Sequence, residues 1–121
     1  MIRDANAMRL RKRPGHAYEV TEQNNGEAGL LAVIQGCLDR KPYDLIISDI
    51  DMPGIDGPTM IEQLYFEEIP LPPYFYVSGE YTELQRFLIA SQGALVLPKP
   101  FETAEFYATI DHVLQHPPVL R

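Results

Sequence analysis

The sequence has little that would cross-link the chain or hold it in a membrane. Cys37 is the only cysteine among 121 residues, so an internal disulfide is impossible, and its place in an apolar pattern predicts a buried thiol. No apolar run is longer than five residues, which is far too short to span a bilayer. The first residues, "MIRDANAMRLRKRPG", lack the apolar core of a signal peptide. These absences predict a cytoplasmic protein that does not act at a membrane.

Positive charge and metal-binding patterns are also scarce. The chain has 10 Lys and Arg against 17 Asp and Glu, a formal net charge of -7. Nucleic acids and membrane surfaces are anionic, so we expect no binding to either through bulk electrostatics. His16, His112 and His116 do not show the spacing of a zinc site. A basic peptide, a cation or another protein suits this charge balance better.

Nothing in the chain indicates a second domain. It has no internal repeat, no low-complexity tract and no stretch of linker composition. A chain of 121 residues is long enough to bury one hydrophobic core. We therefore expect a single domain over residues 1–121, with residues 116–121 as a short tail.

Short apolar runs alternate with helical patterns along the chain. "DLIIS", "YFYVS" and "ALVLP" are typical of strands that are covered on both faces. The alternating "AYEVTEQ" predicts one more strand before them. Apolar residues at helical spacing predict five helices, the first over residues 2–13. The pattern predicts an α/β protein, with about four strands in a parallel sheet and helices on both faces of that sheet.

Three polar side chains follow the ends of three predicted strands. Asp49 comes after "LIIS", Ser78 after "YFYV" and Lys99 after "LVLP". In a parallel sheet these ends meet at one edge, which is where such folds bind ligands. A carboxylate there can attack phosphorus, a hydroxyl can bond a phosphoryl oxygen, and an ammonium can neutralise the added charge. Mg²⁺ commonly screens the repulsion between a carboxylate and a phosphoryl group, and neighbouring aspartates would provide its oxygen ligands.

Three segments, "DLIISDIDMPGIDG", "YFYVSGEY" and "GALVLPKPF", occur in the order and at the spacing of a response-regulator receiver domain, which the chain therefore resembles. The resemblance implies a flavodoxin-like, doubly wound sheet. It implies that Asp49 is the phosphoacceptor, and that Ser78 and Lys99 bind the phosphoryl group. It further implies that Asp49 and Asp51 are metal ligands, Asp51 through its backbone carbonyl and in part its side chain. The bond preceding Pro100 would be cis.

The sequence departs from this family at its start and at one internal position. Receivers begin with a central strand that ends in two acidic residues, and no such strand is present here. The chain's opening instead resembles the family's first helix and second strand. We therefore expect weak or absent Mg²⁺ binding, and a homodimer that repairs the sheet. Alternatively, the missing strand is encoded upstream. At Val96, the family's switch position, an aromatic side chain is usual, and valine has little rotamer freedom.

Several functions remain open at this point. In one, a histidine kinase or phosphotransfer protein phosphorylates Asp49. In another, the domain is a degenerate receiver that signals through protein contacts alone. In neither is it an enzyme, although self-phosphorylation from a small donor is possible. A haloacid-dehalogenase-like phosphatase, with Asp49 as nucleophile and Asp51 as acid and base, is the alternative from another class.

Overall fold

The computed structural model describes residues 4–120. This part of the chain contains five helices and three strands; the first two helices are consecutive, helices and strands alternate from the second helix onward, and all the strands are parallel. The α/β class, the parallel sheet and the five helices are confirmed; residues 2 and 3 of the first predicted helix lie outside the described residues. The elements are α1 (Asp4–Arg11), α2 (Gly26–Leu38), β1 (Ile46–Asp49), α3 (Gly57–Phe66), β2 (Tyr74–Ser78), α4 (Glu83–Gln92), β3 (Val96–Pro98) and α5 (Thr103–Gln115).

The register of the sheet aligns the carboxyl ends of its strands. The strand order is β1-β2-β3, with Asp49 opposite Val77 and Ser78 opposite Pro98. Each strand therefore ends within about one residue of its neighbour, a step of roughly 3.3 Å. Side chains at the three ends consequently lie at one edge of the sheet.

The sheet has one strand fewer than predicted. Within residues 4–120 no strand forms at "AYEVTEQ". Tyr18 and Val20 of this segment are half-buried against the core, whereas Ala17 and Glu19 are exposed, so the alternation of side chains persists without a ladder. A strand needs hydrogen bonds from a neighbouring backbone, and within residues 4–120 no strand pairs with this segment.

Apolar side chains cover both faces of the sheet, as a doubly wound fold requires. One face packs against α1 and α5, and the other packs mainly against α2, α3 and α4. The first core cluster consists of Ala7, Leu10, Ile47, Phe75, Val77, Leu97, Phe106, Ile110 and Val113. The second consists of Val33, Ile46, Ile50, Met60, Ile61, Leu64, Tyr74, Tyr76 and Ile89.

Helix α2 exposes more apolar surface than its sequence pattern predicts. Leu31 is 65% exposed and Leu38 is 71% exposed. Cys37 is only half-buried, so the prediction of a buried thiol was wrong. A single helix turns one face to the core, and Val33 occupies that face in α2. Apolar residues elsewhere on the helix therefore remain in contact with solvent.

Arg13, just after α1, links the start of the domain to α5. Its guanidinium donates hydrogen bonds to Asp111 Oδ2 at 2.6 Å and to the hydroxyl of Tyr18 at 2.9 Å. It also lies over the ring of Tyr107, with 4.8 Å between the guanidinium carbon and the ring centroid. The Arg13 side chain is 10% exposed. The hydrogen bond from Arg13 holds the pKa of Asp111 below its ordinary value.

We expect Asp111→Asn to lower the free energy of unfolding near pH 7 by less than about 1 kcal/mol, because the carboxylate is half exposed and the ion pair is screened. The folded-state pKa of Asp111 lies below its ordinary 3.8. Its stabilisation is therefore present above that value and is lost as the pH falls through the folded pKa. Urea unfolding across the acid range should show the two proteins converging. The exposed Glu67→Gln is the control, and an equal loss at every pH would contradict the prediction.

Candidate functional site

Asp49, Ser78 and Lys99 lie together at the carboxyl edge of the sheet. Asp49 and Ser78 are the last residues of β1 and β2, and Lys99 directly follows β3. The ammonium of Lys99 donates a hydrogen bond to Asp49 Oδ1 at 3.1 Å. The backbone N–H of Lys99 donates to the carbonyl of Ser78 at 2.8 Å. The backbone hydrogen bond to the end of β2 thus positions Lys99, whose ammonium reaches the carboxylate of Asp49 at the end of β1.

The ion pair between Lys99 and Asp49 is asymmetric in its exposure. The side chain of Asp49 is 13% exposed, whereas that of Lys99 is 46% exposed. A mostly buried carboxylate loses much of its hydration and needs a compensating partner. Lys99 provides it while its own charge stays largely hydrated, which limits the desolvation cost of the pair. The arrangement keeps a carboxylate at the bottom of a cleft with a cation at its rim.

Ser78 is buried, and its hydroxyl is already engaged. The Oγ donates a hydrogen bond to the carbonyl of Glu80 at 2.7 Å, whereas Gly79 and Glu80 are exposed. The hydroxyl can exchange this bond for one to an incoming oxygen by rotating about one side-chain bond. An open cleft of about 380 Å³ adjoins it, lined by Asp49, Asp51, Val77, Ser78, Gly79, Glu80 and Lys99.

The loop after β1 is held in shape by Glu27 of α2. Its Oε1 accepts the backbone N–H of Ile55 at 3.3 Å. Gly54 has φ +79, a left-handed backbone conformation that glycine adopts without strain and that residues with a Cβ rarely adopt. Met52 is buried, whereas Asp51 is exposed at the lip of the cleft. The sequence carried no signal for Glu27, which lies 28 positions before Ile55.

Asp56, the third aspartate of the loop, serves α3 and α4. Its Oδ1 accepts the backbone N–H of Thr59 at 2.8 Å, which caps α3. Its Oδ2 accepts a hydrogen bond from Gln85 Nε2 at 3.0 Å, and Gln85 also completes the capping box of α4 with Thr82. An aspartate two residues before Pro58 is a recognisable cap signal. The partner on α4 could not be read from the sequence.

The donor set for a metal at this cleft is small. Asp49 and Asp51 are the aspartates that line it, and within residues 4–120 no group of three or more His, Cys, Asp or Glu side chains converges on a metal position. Mg²⁺ is often held by one or two carboxylates when phosphate oxygens and water complete its six ligands. The residues present therefore fit a magnesium site that is incomplete without a phosphoryl group.

A second open pocket lies beside the cleft, between the loop after β2 and α4. It measures about 500 Å³ and is lined by Ser78, Gly79, Glu80, Tyr81, Arg86, Val96 and Pro98. Val96 is half-buried there, and Arg86 lies over the Tyr81 ring at 5.2 Å. Past the end of β3, the peptide bond between Lys99 and Pro100 is cis.

Comparison with known proteins identifies the family. The protein-family model described as the response regulator receiver domain matches residues 2–111 of this chain. The chain is a receiver domain. Receiver domains are signalling modules of two-component systems rather than enzymes in themselves, and they generally bind Mg²⁺ at the phosphorylation site. They interact with kinases or phosphotransfer partners.

Relatives of known sequence support this membership. The chain is 34% identical over 99 residues to the transcriptional activator protein PfeR of Pseudomonas aeruginosa, with 81% of this chain and 30% of that protein covered. It is 30% identical over 122 residues to the sensor kinase CckA of Brucella abortus, with 95% of this chain and 12% of that protein covered. The receiver domain thus spans less than a third of the length of these relatives.

Solved structures agree on the fold. The signal receiver domain of NarL from Mycobacterium tuberculosis has a TM-score of 0.75 at 20% identity, with 93% of this chain and 86% of that chain covered. The chemotaxis protein CheY4 of Vibrio cholerae has a TM-score of 0.70 at 22% identity, with 90% and 86% covered. Nothing in these comparisons favours a haloacid-dehalogenase-like phosphatase. Among the described residues, no helix is long and apolar enough to cross a membrane.

Proposed function

We propose that this receiver domain accepts a phosphoryl group on Asp49. The observation that supports this most directly is the contact of 3.1 Å between Lys99 Nζ and Asp49 Oδ1 at the base of the cleft that Ser78 also lines. A carboxylate oxygen of Asp49 attacks phosphorus, the bond to the donor's leaving group breaks, and the leaving group departs with the electron pair. Lys99 then compensates the negative charge that the phosphoryl group adds.

Ser78 is the second group that we assign to phosphoryl binding. Its hydroxyl exchanges the carbonyl of Glu80 for a phosphoryl oxygen, so one hydrogen bond replaces another. Because the new acceptor is charged, the exchange is favourable. The released carbonyl of Glu80 lies in an exposed loop, where water can satisfy it. The same rotation removes the hydrogen bond that links Ser78 to the loop between β2 and α4.

We further propose that Mg²⁺ binding is weak before phosphorylation, with Asp49 and Asp51 as ligands. Bound there, the ion would screen the repulsion between the Asp49 carboxylate and an incoming phosphoryl group. Two features support a weak site: Asp49 Oδ1 already accepts a hydrogen bond from Lys99, and Asp51 is exposed. Phosphorylation is accordingly slow, and its donor is a histidine kinase, a phosphotransfer protein or a small phosphodonor.

The experiment is a Mg²⁺ titration in the presence of acetyl phosphate, with aspartyl phosphate measured by intact mass. We expect the yield to rise through the millimolar range without saturating. Asp51→Asn should reduce the rate at a given Mg²⁺ concentration about tenfold, because it removes one of two carboxylates near the ion. Asp44→Asn, an exposed residue away from the cleft, is the matched control.

Two outcomes of this titration would contradict the proposal in different ways. Complete phosphorylation within minutes at micromolar Mg²⁺ would rule out a weak metal site. No aspartyl phosphate from acetyl phosphate, and none from a phosphorylated phosphotransfer protein, would instead favour the degenerate receiver, which signals through its surface alone.

Self-association remains a prediction. Ile46, Ile47 and Ser48 of β1 are 3%, 4% and 1% exposed, and Tyr18 and Val20 pack against the same cluster as Ile47. Within residues 4–120 β1 is hydrogen-bonded to β2 alone, so strand pairing between two copies would have to use its other edge. Light scattering over a range of protein concentrations tests the homodimer, and a monomer at the highest concentration would count against it.

The cytoplasmic location predicted from the sequence likewise remains a prediction.

A further inference from the structure

Two histidines near the end of α5 form a pair that the phosphoryl chemistry does not use. His112 and His116 are one helical turn apart, and both are exposed. Their ring centroids are 4.9 Å apart, and the ring planes are inclined by 39°. The backbone N–H of His116 donates to the carbonyl of His112 at 2.8 Å. This bond holds the two residues on the same side of the helix, so their rings stay adjacent.

We propose that His112 and His116 bind a divalent transition-metal ion of the Zn²⁺, Ni²⁺ or Cu²⁺ class. The three histidines of the chain do not have the spacing of a complete zinc site, but neutral imidazole suits these ions, and two histidines four positions apart on one helix are a known arrangement for holding one. Metal–nitrogen bonds of about 2.0–2.1 Å with angles between square and tetrahedral put two ligating rings about 4.6–5.3 Å apart, centroid to centroid. The observed spacing of 4.9 Å lies inside that range.

The surroundings of the pair also favour a cation. The pair sits at the carboxyl end of α5, where His116 is the C-cap residue and the helix carries partial negative charge. The neighbouring Asp111 compensates the positive charge of Arg13. The chain as a whole has a net charge of -7. The end of the helix and the acidic balance of the chain therefore both favour a bound cation.

Two imidazoles make an open site of moderate affinity. Within residues 4–120 no third His, Cys, Asp or Glu converges with them on a metal position, so water or a donor from another molecule completes the coordination. Structural zinc sites use four protein ligands and bind far more tightly. With half that number we expect a dissociation constant between about one micromolar and a few hundred micromolar.

The test uses the untagged chain with Ni²⁺ and with Zn²⁺, measured by titration calorimetry. We expect one ion per chain. His112→Gln and His116→Gln should each weaken binding about tenfold or more, since either change leaves a single imidazole. His16→Gln is the matched control, because His16 is exposed and its ring stacks on that of Tyr18 rather than on either ring of the pair. Its affinity should stay within about twofold of the unchanged chain.

Three results would overturn the proposal. The first is a dissociation constant above the millimolar range. The second is equal affinity in all three variants, which would move the ion to other donors, such as Cys37. The third comes from NMR: line broadening by Ni²⁺ should centre on His112 and His116, and broadening centred on Asp49 would place the ion in the phosphorylation cleft. Circular dichroism checks that each variant is folded.

Discussion

Asp49→Asn is expected to abolish the formation of aspartyl phosphate, to less than about 1% of the unchanged rate, because an amide oxygen is a far weaker nucleophile than a carboxylate. The substitution keeps the shape of the side chain, so the protein should remain folded. It also leaves Lys99 with a neutral acceptor in place of the carboxylate that lies 3.1 Å away. Intact mass after incubation with acetyl phosphate and Mg²⁺ measures the product directly.

Substitutions of the other two aspartates of the loop serve as comparisons for Asp49→Asn. Asp51→Asn should slow phosphorylation and still permit it, since its side chain is exposed at the lip of the cleft. Asp56→Asn should have little effect on the product, because asparagine can still cap α3. If Asp49→Asn were labelled as strongly as the unchanged chain, the phosphoacceptor would have to be another residue, and the assignment of the cleft would be wrong.

Phe106→Ala is expected to lower the free energy of unfolding by about 3–5 kcal/mol, the cost of removing a buried aromatic side chain and leaving a cavity. Phe106 of α5 is 0% exposed. Its ring stacks on Phe101 at 5.6 Å and meets Phe75 of β2 edge-on at 6.3 Å. A small domain has only about 5–15 kcal/mol of stability in total. The expected loss is therefore a large fraction of the stability of the domain.

Urea unfolding followed by circular dichroism measures this effect, with Phe66→Ala as its control. Phe66 is 75% exposed, so its removal should change the free energy of unfolding by no more than about 0.5 kcal/mol. The dependence on urea should keep the same slope if both states retain their exposed surface. A loss below about 1 kcal/mol in Phe106→Ala would mean that α5 does not pack on β2 as described.

Local patterns were sufficient for most of the elements of this fold. "DLIIS", "YFYVS" and "ALVLP" each contain a strand, because short β-branched and aromatic runs have few other ways to bury both faces. "AYEVTEQ" has an equally clear alternation and forms no strand. The alternation of apolar and polar residues indicates which side chains face the core, and Tyr18 and Val20 do face it. Strand formation depends in addition on a neighbouring backbone, about which the segment itself carries no information.

Periodicity was a poorer guide to burial on the helices. Leu84 and Phe87 belong to the apolar pattern of α4, and they are 69% and 68% exposed. Gln92 of the same helix is fully buried, where it accepts the hydroxyl of Tyr76 and donates to the carbonyl of Pro58. Hydropathy ranks a glutamine as a surface residue. A buried partner reverses that ranking, because the hydrogen bonds offset the cost of desolvation.

The sequence by itself determined the α/β class, the family and the residues at the three strand ends, because these depend on residue types at positions close together in the chain. Only the tertiary structure decided what lies beside them. It brought the ammonium of Lys99 to the carboxylate of Asp49, 50 positions away in the chain, and it brought Glu27 to the loop after β1. The physical reason is that such contacts depend on register, helix orientation and side-chain rotamers, which the whole packed chain selects and no local pattern encodes.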